Sequence, residues 1–225
     1  MAPRQHARPA QAGFWRRNGL SIVLLALMLG SLAGQVVAGR AVLNEERGQH
    51  GLPALELGDY LRSGQFISAT FENWESEFLQ MGMYVLLTVW LRQQGSAESR
   101  PIDPAKEKEN IEAGPKPWPV RRGGWWKRIY AYSLSIALFS LFAVSMVLHL
   151  LGSWRQQLQE RALAGRPPIS LPDYLCTAQF WFESFQNWQS EFLAVLAIVV
   201  LSIFLRQDKS PESKPLAAPN RQTGT

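Results

Sequence analysis

The chain has 225 residues, a formal net charge of +5 and one cysteine, Cys176, so neither an intrachain disulfide nor a Cys-based metal site can form. Its mean hydropathy of −0.10 is near neutral, but that average hides a segregation: no Asp, Glu, Lys or Arg occurs in residues 19–38, 78–91, 129–151 or 192–205. Those blocks predict an all-α membrane protein with four transmembrane helices.

Residues 1–13 are polar and rich in Pro, Gln and Arg, and read as a disordered leader. The first span follows at about 19–38, long enough at 1.5 Å per residue to cross a hydrocarbon layer of roughly 30 Å. A matching block lies in mid-chain, where no signal peptide can be, and this argues against reading the first block as a cleaved secretory signal. Ala26, Gly30, Gly34 and Ala38 recur every four residues. Such a ladder lets another helix backbone approach closely in lipid, so this face is expected to pack on a neighbouring span. A turn-rich, acidic loop then leads to Asp59, expected to cap a short interfacial helix carrying Phe66, Phe71 and Trp74.

The second span, about 74–92, has only 14 consecutive uncharged residues. It is completed by Trp74 at one interface and a snorkelling Arg92 at the other. Residues 102–119, charged and Pro-rich, read as a flexible cytoplasmic linker. Trp125 and Trp126 anchor the third span, about 129–151. A second outer loop places Asp173 as Asp59 is placed, ahead of another short interfacial helix, and the fourth span, about 188–206, lies between Trp188 and Arg206. Residues 216–225 read as a disordered tail.

Residues 60–101 and 174–215 align without a gap at an offset of 114, and 20 of 42 positions are identical. FENWESEFL at 71–79 returns as FQNWQSEFL at 185–193. The chain therefore reads as two tandem two-helix repeats, 14–101 and 120–215. Lys and Arg number 4 before the first span, 9 between the second and third and 4 after the fourth, against 3 in each remaining loop. Cytoplasmic loops retain positive charge, so both termini are expected in the cytoplasm of a cell with an inner membrane. The basic middle loop is then a topological signal, and no nucleic-acid partner is expected.

Ionisable groups inside spans are functional candidates by default. The offset pairs Glu77 with Glu191, Asn73 with Asn187, and Gln35 with His149. Two-helix repeats enter the membrane in the same direction, so these six residues should lie at similar depth near the outer face. Two carboxylates with a His and an amide could bind a cation or exchange protons; a carboxylate reaching the headgroups and a hydrogen-bonded packing His are the plainer readings. With three His in all and no phosphate loop, GxSxG or HExxH motif, neither an enzyme, a metal site nor a cofactor is expected.

The run YLRSGQFISATFENWESEFLQMGMYVLLTVWLRQQGSAES and its partner FWFESFQNWQSEFLAVLAIVVLSIFLRQDKSPESKP resemble a bacterial membrane-protein family known as domain of unknown function 6766. The resemblance implies a bacterial four-helix membrane protein and brings no catalytic or binding residues. The favoured class is a small structural or interaction protein of the inner membrane, contacting lipid, a protein partner or a second copy of itself; the alternative is a transporter or ion- or proton-coupling protein with a polar site at the repeat interface. The burial of the paired carboxylates discriminates between them.

Overall fold

The computed structural model describes residues 13–107 and 111–224, and they are helical, with no strand among them. The helices are α1 (Phe14–Gln49), α2 (Leu57–Tyr60), α3 (Gly64–Trp90), α4 (Trp118–Arg122), α5 (Gly124–Ala131), α6 (Ser133–Leu163), α7 (Leu171–Leu175) and α8 (Ala178–Phe204). Three of them, α1, α6 and α8, are long and apolar enough to cross a membrane. The fourth expected crossing, α3, matches α8 at 27 residues, about 40 Å of helix, but carries Glu72, Glu75, Glu77 and Gln80 along its length. The chain divides into two compact units, Met1–Arg62 and Ser63–Thr225.

In the first unit α1 runs straight into a loop that its own side chains fasten. Arg40 Nε donates to Leu55 O at 2.9 Å, Arg47 Nε donates to Pro53 O at 2.9 Å, and Asn44 Oδ1 accepts from Leu55 N at 2.7 Å. The small-residue ladder finds no packing partner within its own unit. This unit has no second long helix, Ala26, Gly30, Gly34 and Ala38 are exposed, and a Cβ at Gly30 or Gly34 would meet nothing within 4 Å. Small residues permit close approach without supplying a partner.

Close approach occurs instead in the second unit, between α3 and α6. A Cβ on Gly64 would fall 2.6 Å from Gly152 O, and one on Gly152 would fall 2.5 Å from Ser68 N. Further along, Gly82 lies against the Phe139 ring, so the two helices run antiparallel. α8 packs on the same flank of α3, where Gln80 Nε2 reaches Glu191 O at 2.7 Å. The bundle interior is polar: Ser68, Glu75, Ser76, Gln80, Ser145, His149, Ser153 and Ser184 are buried. That fits helices associating in lipid, where small-residue packing and interhelical hydrogen bonds replace hydrophobic exclusion.

Three further expectations change. The aromatic stretches after Asp59 and Asp173 are not separate interfacial helices but the first turns of α3 and α8. The side-chain caps are Ser63, accepting from Phe66 N, and Ser170, accepting from Asp173 N; each sits at the junction where its helix begins, whereas Asp59 and Asp173 lie inside the short helices. Residues 216–224 are not a loose tail. Lys214, fully buried, donates to the carbonyls of Gly95, Asn220 and Gln222 at 2.5, 3.1 and 3.0 Å, and Gly224 N donates to Ser96 O at 2.9 Å. Gly95, at φ +87°, is required there because a Cβ would stand 2.5 Å from Asn220 O. The leader lies outside the described residues apart from Gly13. The linker holds a short 3-10 turn at Pro104–Lys106 and ends in α4.

The same local contacts recur at the 114-residue offset. Arg161 Nε donates to Pro167 O at 2.8 Å as Arg47 does to Pro53. Gln93 N and Gln207 N each bond a serine hydroxyl six residues on, at 2.9 Å. Arg92 and Arg206 each fold one guanidinium nitrogen onto three carbonyls at the end of the preceding helix. They close the unsatisfied C-terminal acceptors and oppose the negative end of the helix dipole, which is more specific work than snorkelling.

Candidate functional site

The second unit encloses one ionisable cluster where α3, α6, α7 and α8 meet. The small residues Gly152 and Ser153, one turn beyond His149 on α6, let α3 come close enough for its Glu75 to reach the imidazole. Glu75 and His149 are both 0% exposed. His149 Nδ1 and Glu75 Oε2 are 2.8 Å apart, and the second carboxylate oxygen, Oε1, accepts from Trp188 Nε1 at 2.9 Å. One carboxylate is thus held by a donor from α6 and a donor from α8, as a buried charge requires.

The other imidazole nitrogen faces a second carboxylate. His149 Nε2 lies 3.6 Å from Glu183 Oε2, within ion-pair range yet without a hydrogen bond. Glu183 is positioned from both sides: Oε2 accepts from Ser153 Oγ at 2.7 Å and Oε1 accepts from Gln179 Nε2 at 2.7 Å. Since Ser153 spends its proton on Glu183, the Tyr174 hydroxyl donates to Ser153. Burial pushes that hydroxyl up to about 12. A third carboxylate, Glu72, accepts from Asn187 Nδ2, one turn beyond Glu183 on α8. Phe180, fully buried, lies with its ring centroid 5.1 Å from that of the imidazole.

Three carboxylates thus surround one imidazole in a low-dielectric interior, where each depends on its hydrogen-bonded partners. A proton arriving at Nε2 would turn a lone pair facing a carboxylate into an ion pair with Glu183. Glu183, with 23% of its side chain exposed, is the member of the His149 ion-pair network that reaches the surface. Among the described residues no group of three or more His, Cys, Asp or Glu has the arrangement to hold a metal ion.

Of the residues singled out from sequence, the structure brings His149, Asn187 and Trp188 into this cluster. Trp188 is an interior donor rather than an interfacial anchor, because α8 packs its indole toward Glu75. Asn73 is exposed and bonds only Ala69 O on its own helix. Trp74 is 37% exposed and meets Phe71 edge-on. Glu77 is exposed, and Glu191 is half-buried and joins α3 through its backbone carbonyl, so this pair favours the interaction class and any case for proton handling rests on other carboxylates. Gln35 lies on α1 in the other unit. The expected contact of His149 with Glu77 or Glu191 is replaced by Glu75 and Glu183: two residues along a helix is a rotation of about 200°, so Glu75 facing inward turns Glu77 outward.

Glu72, Glu75, Glu183, Ser153 and Tyr174 were not singled out. All but Tyr174 share a signal that was available. At the 114-residue offset Glu72 and Glu75 face Gln186 and Gln189, Glu183 faces Ala69, and Ser153 faces Gly39. The acids of the cluster stand where the two copies differ, whereas Tyr174, Asn187 and Trp188 match Tyr60, Asn73 and Trp74.

A protein-family model described as a domain of unknown function, number 6766, matches residues 11–225. No curated protein and no solved structure matches the chain.

Proposed function

The chain belongs to the domain of unknown function 6766 family, and on that premise we propose that it is a proton-coupling protein of the bacterial inner membrane. In this reading a two-helix hairpin occurs twice, α1, α3, α6 and α8 all cross, and both termini are cytoplasmic. The 4, 9 and 4 cationic residues of the N-terminal, middle and C-terminal segments support the orientation, and the contacts recurring at the 114-residue offset support the duplication. The protein is read as non-enzymatic, with no cofactor.

One observation carries the reading: Glu75 and His149, 2.8 Å apart and wholly buried, with Glu183 on the far side of the ring as the exposed end. Maintaining such a group inside a membrane helix bundle is costly, and its common use is proton or ion handling. The test is proton movement in proteoliposomes carrying an internal pH dye and an imposed gradient. Wild-type protein should dissipate the gradient faster than empty vesicles, and His149→Gln and Glu75→Gln should abolish the difference. Equal rates for wild-type protein and empty vesicles would remove the proposal.

The exposed ladder on α1, where Gly30 and Gly34 have nothing within 4 Å, favours a second reading as an interaction protein whose first helix meets another membrane helix, from a partner or a second copy. Crosslinking through a cysteine placed at Gly34 tests it: a crosslinked species should form, and a strictly monomeric band would count against it.

A further inference from the structure

The segment ahead of α6 combines cations and indoles in an arrangement the proton site does not use. α4 and α5 are joined at Gly123 and Gly124, both at positive φ (72° and 53°), which lets the chain turn sharply between two short helices. The turn brings Trp118 and Trp126 together edge-to-face, with centroids 5.2 Å apart. The Arg122 guanidinium lies over both rings, at 5.4 and 5.5 Å, and Arg128 lies over Trp125 at 5.9 Å. Trp125 is 73% exposed, and Trp118 and Trp126 are close to half exposed.

Two facts say what covers this surface. No Asp or Glu occurs between Glu112 and Glu160, and among the described residues none of Arg121, Arg122, Lys127 and Arg128 has a carboxylate within ion-pair distance. The surface also sits directly before α6, a helix long and apolar enough to span, so it lies at a membrane boundary. Indoles are stable in that zone, with the ring among acyl chains and the N–H among headgroups. A guanidinium stacked on a ring keeps its N–H donors at the edge of its plane, where a phosphate meets them in a bidentate fork.

We propose that α4 and α5 form a collar that binds anionic phospholipid headgroups at the foot of α6, with Arg122 and Arg128 as the phosphate ligands and Trp118, Trp125 and Trp126 as the platform that holds them. The collar does not depend on the proton reading. Each cation at an anionic surface contributes about a fivefold preference, so the two arginines together give about 30-fold at low salt, weakening as salt rises.

The test uses the full chain in detergent, titrated with phosphatidylglycerol and with phosphatidylcholine, counting bound lipids by native mass spectrometry. Wild-type protein should retain phosphatidylglycerol preferentially, and Arg122→Gln with Arg128→Gln should lose most of that preference. Arg128→Gln alone, a milder change if the double variant fails to fold, should lose about fivefold. An unchanged preference in either folded variant, or equal retention of the two lipids by wild-type protein, would overturn the collar. So would capture of nucleic acid in place of phosphatidylglycerol when both are offered.

Discussion

The Trp188 indole donates to Glu75 from one helix to the next at 2.9 Å, while Trp74, its counterpart 114 residues earlier, is exposed on α3. Two tryptophans in the same nine-residue motif therefore do different work. The difference follows from the neighbour each finds: α8 turns Trp188 toward a carboxylate, and the position matching Glu75 in the second copy is Gln189, which is exposed. Near-identical local sequence thus frames an asymmetric interior, with Glu72 and Glu75 on α3 and Glu183 and Trp188 on α8.

Removing one partner of the buried pair should cost more than removing the indole donor. His149→Leu leaves Glu75 without its cationic or hydrogen-bonding partner in a low-dielectric site and should destabilise the bundle by about 3–5 kcal/mol. Trp188→Phe keeps the ring and loses one donor, at a cost of about 1–3 kcal/mol. Thermal unfolding in detergent measures both, and equal midpoints for His149→Leu and wild type would show that Glu75 is satisfied by other means.

The glycines make opposite predictions on the two units. Gly152→Leu and Gly64→Leu force α3 from α6, because even a Cβ there meets backbone atoms at 2.5–2.6 Å; loss of the folded bundle is expected. Gly30→Leu with Gly34→Leu should leave the thermal stability of detergent-solubilised monomer unchanged. A large loss in that double variant would show that the α1 face is covered after all.

The helices were legible because charge is excluded from apolar blocks, and α1, α6 and α8 each contain most or all of one such block. Their ends were not: α1 runs on to Gln49 and α6 to Leu163, where polar residues continue a helix that hydropathy had closed. Two kinds of inference misplaced the site. Looking for identical residues in both copies selected Glu77 and Glu191, whereas the cluster uses Glu75 and Glu183, which the other copy lacks. The spacing of Ala26, Gly30, Gly34 and Ala38 showed where a helix can be approached closely, but the approach was made at Gly64 and Gly152, which no regular ladder advertises. Rotation about a helix axis, decided by packing, separates Glu75 from Glu77, and no local pattern encodes it.

Glu98 links stability to pH. Burial lifts its carboxyl above the ordinary range, a hydrogen bond with Glu212 adds to this, and the Tyr84 hydroxyl donating to Oε2 at 2.9 Å acts the other way. A carboxyl raised in the folded state binds more protons there than in the unfolded chain. Its contribution is greatest below the unfolded value of 4.5 and falls as pH rises toward the folded value. Thermal midpoints of wild-type protein should drop more steeply over that interval than those of Glu98→Gln, and parallel pH profiles would show that Glu98 is not the group responsible.

Gly39 and Tyr60 in the first unit match Ser153 and Tyr174 in the second at the same offset. In the second unit the serine side chain accepts the tyrosine hydroxyl. In the first, the Tyr60 hydroxyl occupies the place that a Cβ on residue 39 would take, so the tyrosine lies closer to the helix and only glycine fits. Gly39→Ala should therefore strain the junction of α1 and its loop by about 1–3 kcal/mol, the usual range for overpacking. Tyr60→Phe removes the colliding oxygen and should recover part of that loss in the double variant, although alone it forfeits whatever the hydroxyl bonds. Limited proteolysis of the 50–56 loop in detergent reads the junction directly. Faster cleavage in Gly39→Ala, slowed again when Tyr60→Phe is added, is the expected pattern, and purely additive effects of the two substitutions would show that the collision is relieved elsewhere.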